Sequence, residues 1–259
     1  MGKVYLIGAG PGDAELLTIR AVRILASADI VLHDALVTSE ILQLVSRQAQ
    51  VVDVGKRCGH KLLTQEEIND YLVYAAATAS IVVRLKSGDP LIFGRAGEEI
   101  ESLRTAGVDF EIIPGITAAL AAGAAARISL TDRRFASQVL FTTVHRTGGR
   151  TSLDGIIRVT PETTLVLYMP GCAYQDLANA LVQCGVDSQT PCVVVSCATQ
   201  KSQQMSWTDV AGLEKLSPLS APCVLIIGRI ARWQSETLMT EIWKQLPQKT
   251  VQNQHRIVS

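Results

Sequence analysis

The stretch that decides the fold lies near the amino terminus and reads Val4-Tyr5-Leu6-Ile7-Gly8-Ala9-Gly10-Pro11-Gly12-Asp13. Its first four residues are apolar and strand-forming, and the glycines that follow let the backbone turn sharply or approach a ligand closely. A dinucleotide-binding fingerprint needs G-x-G-x-x-G opening directly into a helix, but Asp13 occupies the last glycine position and Pro11 interrupts the turn. The stretch therefore predicts a strand and a ligand-binding turn. A purely structural turn is the alternative, and a nicotinamide or flavin site is disfavoured.

Short strand-like runs alternate with helical patterns through the first half of the chain. Thr18 precedes one helical pattern, Thr64 and Glu67 form a capping box before another, and Gly107 closes a third. Such alternation predicts a mostly parallel sheet with helices on both faces, in which ligands bind beyond the carboxyl ends of the strands. The predicted strands are Val4 to Ile7, Ile30 to His33, Val51 to Val54, Ile81 to Leu85 and Phe110 to Ile113.

The pattern changes at a polar, arginine-rich connection from about Arg127 to Phe135. We place the domain boundary here, with an N-terminal α/β domain over residues 1–126 and a C-terminal α/β domain over residues 127–259 that ends in a polar tail. Some strands of the second half are close enough in sequence to pair antiparallel, so we expect a mixed sheet. Its predicted elements are strands at Gln138 to Thr143, Thr164 to Met169, Cys192 to Cys197, Met205 to Trp207 and Cys223 to Ile227, and helices near Asp176 to Cys184 and Thr208 to Leu216.

Composition excludes several classes of protein. The 259 residues are 47% hydrophobic, which excludes a disordered chain, and 24 Lys and Arg balance 24 Asp and Glu. This balance argues against binding nucleic acid through bulk charge, although a local basic cluster would leave no trace in the total. No apolar run approaches the roughly 20 residues that cross a bilayer. Because Met1-Gly2-Lys3 leads straight into a strand without an export signal, we expect a cytoplasmic protein.

Metal chemistry is not indicated. The six cysteines form no C-x-x-C pair and fall mostly in apolar runs, and the four histidines share no ligand spacing. We therefore expect reduced core thiols and no metal, with a zinc or redox site as the alternative.

Two further loops carry ligand-binding signals. The first is the cluster from Val83 to Arg95, in which the turn former Gly88-Asp89-Pro90 continues into Leu91-Ile92-Phe93, unlike an ordinary surface turn. Its backbone can bracket a polar ligand while Ile92 supplies an apolar wall. A structural turn is the alternative. The second is Pro114-Gly115-Ile116-Thr117-Ala118-Ala119, where a strand becomes a helix of small residues. These alanines are explained equally well by close packing of a core helix or by an adenosine-sized ligand near Thr117.

Asp34 and Lys56 occupy strand ends, where functional residues collect in parallel sheets. The alternatives are a helix N-cap for Asp34 and a solvated charge for Lys56. Across a cleft, the carboxylate can accept a proton and the ammonium can donate one. Arg57, beside Lys56, is available for carboxylates of a substrate.

Taken together, these motifs resemble the tetrapyrrole methylases in order and over residues 3 to about 230. The matching segments are Gly8 to Asp13 with Glu15 to Thr18, Asp34 to Val37, Val54 to Arg57 with Gly59-His60, Gln65 to Asn69, Val83 to Arg95 and Pro114 to Ala118.

The resemblance implies a two-domain tetrapyrrole methylase fold, a homodimer, and S-adenosyl-L-methionine bound between the halves, with S-adenosyl-L-homocysteine as product. The implied reaction methylates two ring carbons of uroporphyrinogen III, giving precorrin-1 and then precorrin-2 on the way to siroheme and cobalamin. Asp34 carries over as proton acceptor and Lys56 as proton donor. The implied cofactor contacts are Pro11, Ser87, Gly88, Asp89, Ile92, Thr117, Ala118, Met169 and Ala198.

Because uroporphyrinogen is rich in carboxylates, we expect arginines to bind it through bidentate contacts. The candidates are Arg57, Arg127, Arg133, Arg134 and Arg146.

Four positions depart from the family pattern and leave other substrates open. They are Ser87, Asp132, Pro170 and Ala198, of which Pro170 has no N–H to donate. The alternatives are a later precorrin methyltransferase and a non-catalytic binder of the same ligands, although Asp34 and Lys56 argue against the binder. The branch that methylates ribosomal RNA is disfavoured by the neutral charge and by Val54-Gly55-Lys56-Arg57.

Overall fold

The structure, a computed structural model, describes residues 1–57, 60–61, 63–147, 150–153 and 159–232. The strands are β1 (Lys3–Gly8), β2 (Ile30–His33), β3 (Gln50–Asp53), β4 (Lys56–Arg57), β5 (His60–Lys61), β6 (Ile81–Lys86), β7 (Phe110–Ile113), β8 (Gln138–Thr143), β9 (His145–Thr147), β10 (Arg150–Ser152), β11 (Thr163–Tyr168), β12 (Pro191–Ser196), β13 (Gln204–Asp209) and β14 (Cys223–Ile227). The α-helices are α1 (Ile19–Leu25), α2 (Ser39–Leu42), α3 (Gln65–Thr78), α4 (Ala96–Thr105), α5 (Ala118–Ala125) and α6 (Tyr174–Gln183). Within these ranges, no helix has the length and apolar character needed to cross a membrane.

The first sheet has five parallel strands in the order β3-β2-β6-β1-β7. Successive residues of a strand point to opposite faces, so both faces must be covered when both are apolar. Leu6 and Leu32 pack on the side of α3 and α4, whereas Ile7 and Val31 pack on the side of α1 and α2. The predicted parallel sheet with helices on both faces is confirmed.

The second sheet is mixed, as predicted, in the order β13-β12-β14-β11-β8. Strands β8 and β11 are parallel, while β14 is antiparallel to both β11 and β12. Helix α6 covers one face and α5 the other. Ala119 and Ala122 of α5 pack with Val166 and Val193, so this helix precedes the predicted boundary in sequence yet packs against the second sheet. The boundary itself stays a prediction.

The predicted helix from Thr208 to Leu216 is wrong. Strand β13 continues to Asp209 because it pairs with β12, where Trp207 lies opposite Val193, and only a short 3-10 turn over Ala211–Lys215 follows. Strand pairing outweighs the weak helical pattern here. Helix α2 and the small hairpins β4–β5 and β9–β10 were not predicted, since they are too short to show a periodic pattern.

The loops that follow β1, β6 and β7 touch one another through three glycines. A Cβ on Gly115 would lie 2.4 Å from the carbonyl oxygen of Gly88 and 2.8 Å from the Cα of Gly8. Gly88 also exchanges backbone hydrogen bonds of 2.8 and 3.1 Å with Gly10. Residues with side chains would separate these backbones, so the glycines bring the ends of three strands to one place.

We predict that Gly115→Ala lowers the free energy of unfolding by about 2 kcal/mol, because the new methyl group meets backbone atoms that cannot move aside. Urea denaturation monitored by circular dichroism measures this change. Gly97→Ala is the matched control, since a Cβ on this α4 residue meets nothing within 4 Å. This control should raise stability by roughly 0.5 kcal/mol through helix propensity, and equal stability of the two variants would contradict the contact.

Candidate active site

The glycine contact lies at the carboxyl ends of the first-sheet strands, where parallel sheets bind their ligands. We call this place the cleft and the glycine contact its floor. The carboxylate of Asp89 holds the floor together, because its Oδ2 accepts a 3.0 Å hydrogen bond from Gly115 N–H and its Oδ1 accepts one of 2.9 Å from Leu91 N–H. Gly88 has φ +68°, and a Cβ built on it would lie 3.9 Å from the Cα of Thr117. Gly88 therefore leaves a gap beside the amino end of α5.

Two contacts join the halves of the chain around this cleft. Gln200 Nε2 donates a 3.1 Å hydrogen bond to the carbonyl oxygen of Pro11. The hydroxyl of Tyr168 lies 2.6 Å from Thr117 Oγ1 and accepts a bond from Ala119 N–H. Burial raises the pKa of Tyr168, so the hydroxyl stays neutral and the contact keeps its proton. The cleft is thus lined by both halves.

The structure brings the nine predicted cofactor residues to this cleft or to the loops that form it. Ser87, Gly88, Asp89 and Ile92 follow β6, Thr117 and Ala118 begin α5, and Pro11 follows β1. From the second half, Met169 follows Tyr168 at the end of β11, and Ala198 lies two residues before Gln200.

Asp34 lies at the end of β2 with its side chain directed to β6. Its Oδ1 accepts a 2.5 Å hydrogen bond from Arg84 Nη2, and its Oδ2 accepts one of 3.3 Å from Ser87 N–H. The alternative N-cap role does not apply, since α2 begins at Ser39 with Thr38 as its cap. The side chain is 28% exposed, so one carboxylate is both held by a cation and open to the cleft.

Arg84 begins a buried chain of alternating charges. Its Nε donates to Glu99 Oε1 at 2.9 Å, and both oxygens of Glu99 accept from Lys86 Nζ at 2.9 and 2.8 Å. Burial opposes the charge of Arg84, but the anions Asp34 and Glu99 outweigh it and raise the pKa of Arg84. Burial, together with repulsion by Arg84, lowers the pKa of Lys86. We call Asp34, Arg84, Glu99 and Lys86 the charge chain.

Sequence reasoning assigned no role to Arg84, Lys86 or Glu99. The signal was nevertheless present, because Arg84 and Lys86 are two cations at alternate positions of an otherwise apolar strand and so share one face. What the sequence did not show is that Glu99, on the first turns of α4, lies between them.

Large apolar side chains are exposed on the loops that follow β2, β6 and β11, and we call them the apolar rim. Leu36, Leu91, Phe93 and Met169 are between 42% and 60% exposed, although all are large hydrophobic residues. Phe93 and Met169 both have φ +51°, a conformation that costs energy for residues other than glycine and persists where the surroundings impose it. Such a rim offers a wide apolar surface to a flat ligand.

The predicted substrate-binding arginines do not all lie at the cleft. Arg127 follows the carboxyl end of α5, whereas Thr117 is at its amino end, and Arg133 is exposed in the connection beyond Arg127. The side chains of Lys56, Arg57 and Arg146 lie outside the described part of the structure, so their predicted roles stay predictions.

Comparisons with known proteins agree with this architecture. The family model Tetrapyrrole (Corrin/Porphyrin) Methylases matches residues 3–214. A siroheme synthase from Psychrobacter sp. (strain PRwf-1) is 40% identical over 239 residues, which are 91% of this chain and 49% of that protein. The chain thus spans about half the length of the curated relatives it matches.

Two solved structures are similar over most of this chain. Uroporphyrin-III C-methyl transferase from Thermus thermophilus, complexed with S-adenyl homocysteine, is 36% identical with a TM-score of 0.77, covering 89% of this chain and 99% of that one. Cobalt precorrin-4 methyltransferase, a cobalamin biosynthetic enzyme, is 26% identical with a TM-score of 0.75, covering 88% and 95%. From its sequence motifs, its fold and these matches, the chain belongs to the tetrapyrrole methylase family.

Proposed function

We propose that this chain transfers methyl groups from S-adenosyl-L-methionine to two ring carbons of uroporphyrinogen III. The observation that carries the proposal is a two-sided cleft with a carboxylate held at its edge by a buried cation. The similarity to the Thermus thermophilus enzyme supports the choice of donor and substrate, since 99% of that chain is matched.

The cleft fits the methyl donor in chemical character. The gap beside Gly88 lets a ligand approach the backbone at Ala118 N–H, while Ala119 N–H already donates to the Tyr168 hydroxyl. Ile92 and Met169 supply apolar contacts for the adenosine and the thioether chain. We propose Pro11, Ser87, Gly88, Asp89, Ile92, Thr117, Ala118, Met169 and Ala198 as the residues that hold it.

Methyl transfer depends more on how the two reactants are positioned than on charged groups of the protein. The ring carbon attacks the methyl carbon in line with the breaking bond to sulfur, and the positive charge of the sulfonium disperses in the transition state. The cleft therefore contributes chiefly by holding the two reactants in near-attack geometry. The substrate must also lose a proton, and we propose that Asp34 accepts it, while Lys56 donates a proton where the ring requires one.

The charge chain gives Arg84 a positioning role. Its guanidinium binds Asp34 on one side and Glu99 on the other, so the Asp34 carboxylate is fixed in direction. We propose Arg84 as a residue that acts through Asp34 and not on the substrate.

The substrate is proposed to lie against the apolar rim, with its ring face on Leu91, Phe93 and Met169. Arg57, Arg133 and Arg146 stay predicted carboxylate partners, whereas Arg127 lies at the other end of α5 from Thr117. The homodimer and the cytoplasmic location also stay predictions.

A later corrin ring is the second candidate substrate. The similarity to cobalt precorrin-4 methyltransferase favours it. Pro170, which is buried after Met169 and has no N–H, favours it too, because it alters the backbone donors at the cleft.

We predict that the chain converts uroporphyrinogen III, with S-adenosyl-L-methionine and without oxygen, to a product heavier by two methyl groups. Mass spectrometry of the reaction mixture measures this gain, and S-adenosyl-L-homocysteine should accumulate in a ratio of two to one. No methylation of this ring, with methylation of a later precorrin under the same conditions, would favour the second candidate.

Asp34→Asn should lower the rate constant of methyl transfer by a factor of about 10² to 10⁴, the range for loss of a general base. Affinity for S-adenosyl-L-homocysteine, measured by calorimetry, should change less than threefold, since the amide keeps the shape of the side chain. Asp70→Asn, on an exposed position of α3, is the matched control and should keep the parent rate. A parent rate in Asp34→Asn would remove the residue from the mechanism.

Arg84→Gln should lower the rate constant of methyl transfer by about tenfold, because Asp34 loses the group that fixes its direction, while the KM for the tetrapyrrole should change little. The variant leaves Glu99 paired with Lys86, so it should fold, which circular dichroism checks. Arg47→Gln, at an exposed position after α2, is the control. A KM that rises as much as the rate constant falls would mean that Arg84 is structural only.

A further inference from the structure

A pocket lined by four arginines lies at the carboxyl end of α5. It has a volume of about 820 Å³, within the range of small-molecule sites, and is bounded by the connection before β8, the start of β12, β13 and the turn after β14. We call it the arginine pocket, and its charged lining residues are Arg127, Arg134, Arg229, Arg232 and Asp132.

The arginine pocket is separate from the cleft. Helix α5 runs from one to the other, and the ten residues from Thr117 to Arg127 correspond to about 15 Å of helix. In the second sheet, β12 begins at the pocket with Pro191 and ends toward the cleft, and β14 runs the opposite way to Ile227. A ligand in the pocket is therefore held apart from the glycine floor of the cleft.

The arginine pocket concentrates positive charge, although the whole chain has no net charge. Asp132 accepts bonds of 2.9 and 2.7 Å from Arg134, and this pair lowers the pKa of Asp132 to about 2. In the described residues, no carboxylate is found within ion-pair distance of the other three arginines. Three positive charges of the pocket thus have no carboxylate partner among the described residues, while the whole chain has a net charge of zero.

The backbone of Arg127 adds a second argument. Its N–H donates to Ala124 and that of Ile128 donates to Gly123, the hydrogen bonds of a Schellman motif, in which glycine is the usual residue at this position. Arg127 instead adopts φ +56° with a full side chain. Attraction between a cation and the carboxyl end of a helix does not explain the left-handed backbone of Arg127. An arginine within the last turn of the helix gains the same attraction in ordinary helical conformation.

The remaining walls are apolar and aromatic. Trp207 is half-buried in β13, and the ring of Phe135 is 43% exposed, with the Arg134 guanidinium 5.1 Å from its centre. Ile128 and Ile230 complete this lining. Guanidinium groups bind carboxylates and phosphates alike, but a broad aromatic wall beside them suits an anion that carries a ring system.

We propose that the arginine pocket binds a second tetrapyrrole through its carboxylates, apart from the molecule at the cleft. The choice of a tetrapyrrole among ring-bearing polyanions rests on the proposed function. The ring lies against Trp207 and Phe135, and Arg127, Arg229 and Arg232 pair with carboxylates at its edge.

The test is equilibrium dialysis of the full chain with uroporphyrin III, with S-adenosyl-L-homocysteine at saturation. Two classes of uroporphyrin site are expected, one at the cleft and one in the arginine pocket. Arg127→Gly and Arg229→Gln should each weaken binding at the pocket site by at least about tenfold, because each removes one charged hydrogen bond. Arg127→Gly also suits the left-handed backbone, so its melting temperature should equal or exceed that of the parent, which excludes unfolding as the cause. Arg23→Gln, at an exposed position of α1, should leave binding unchanged.

Binding unaffected by both pocket variants would overturn the proposal. Displacement of uroporphyrin from the variant-sensitive site by an equal concentration of inorganic pyrophosphate would also overturn it, because the pocket would then be a phosphate site. Failure of the proposed function would give a different result. The chain would then transfer no methyl group to uroporphyrinogen III, while its binding of uroporphyrin would still be weakened by Arg229→Gln.

Discussion

Close backbone contact at Gly8, Gly88 and Gly115 is the constraint on which the site depends. A Cβ at Gly8 would lie 2.6 Å from Gly115 N, and one at Gly115 would lie 2.4 Å from Gly88 O, so Gly8 and Gly115 tolerate hydrogen only. Since parallel strands end at the same edge of a sheet, their loops are neighbours in any such fold. In this sequence the glycines also bring the loop backbones into direct contact, so the three loops form one surface. The carboxylate of Asp89 stabilises that surface by accepting from Gly115 N–H.

The charge chain depends on that surface for its position. Burying ions costs more solvation energy than one pair returns, so such groups persist only where each ion has several partners. Glu99 accepts from both Arg84 and Lys86, and Arg84 also binds Asp34, so every member but one is enclosed. The exception is Asp34, which is partly exposed. A buried network that ends in one open carboxylate supports a functional interpretation more than a purely structural one, because apolar residues would stabilise the core as well.

The sequence predicted the fold well wherever a pattern repeats. Strands β8 and β14 begin and end at the predicted residues, and the capping box of Thr64 and Glu67 forms as expected. The failure at Thr208 to Leu216 has a different origin, since β13 is defined by its pairing with β12, which no local pattern contains. Pairing between strands that are distant in the chain is the feature that a single sequence reveals least.

The same distinction applies to the site. The motif Gly88-Asp89-Pro90 was found because this turn former continues into apolar residues, and the structure brings Gly88 beside Gly10 and Asp89 beside Gly115. Glu99 was missed because a glutamate near the start of a helix is ordinary there, and only the fold places it between Arg84 and Lys86. Arg127 was noticed for its charge, but its left-handed backbone and its distance from Thr117 along α5 became visible only in three dimensions.

Helix α5 connects these observations physically. Its alanines let it lie close to β11 and β14, so its two ends are fixed by packing and not by long side chains. The amino end is fixed to Tyr168 at the cleft, and the carboxyl end carries Arg127 into the arginine pocket. This short helix therefore sets the spacing between the cleft and the arginine pocket. Any change that lengthened or tilted it would disturb both at once.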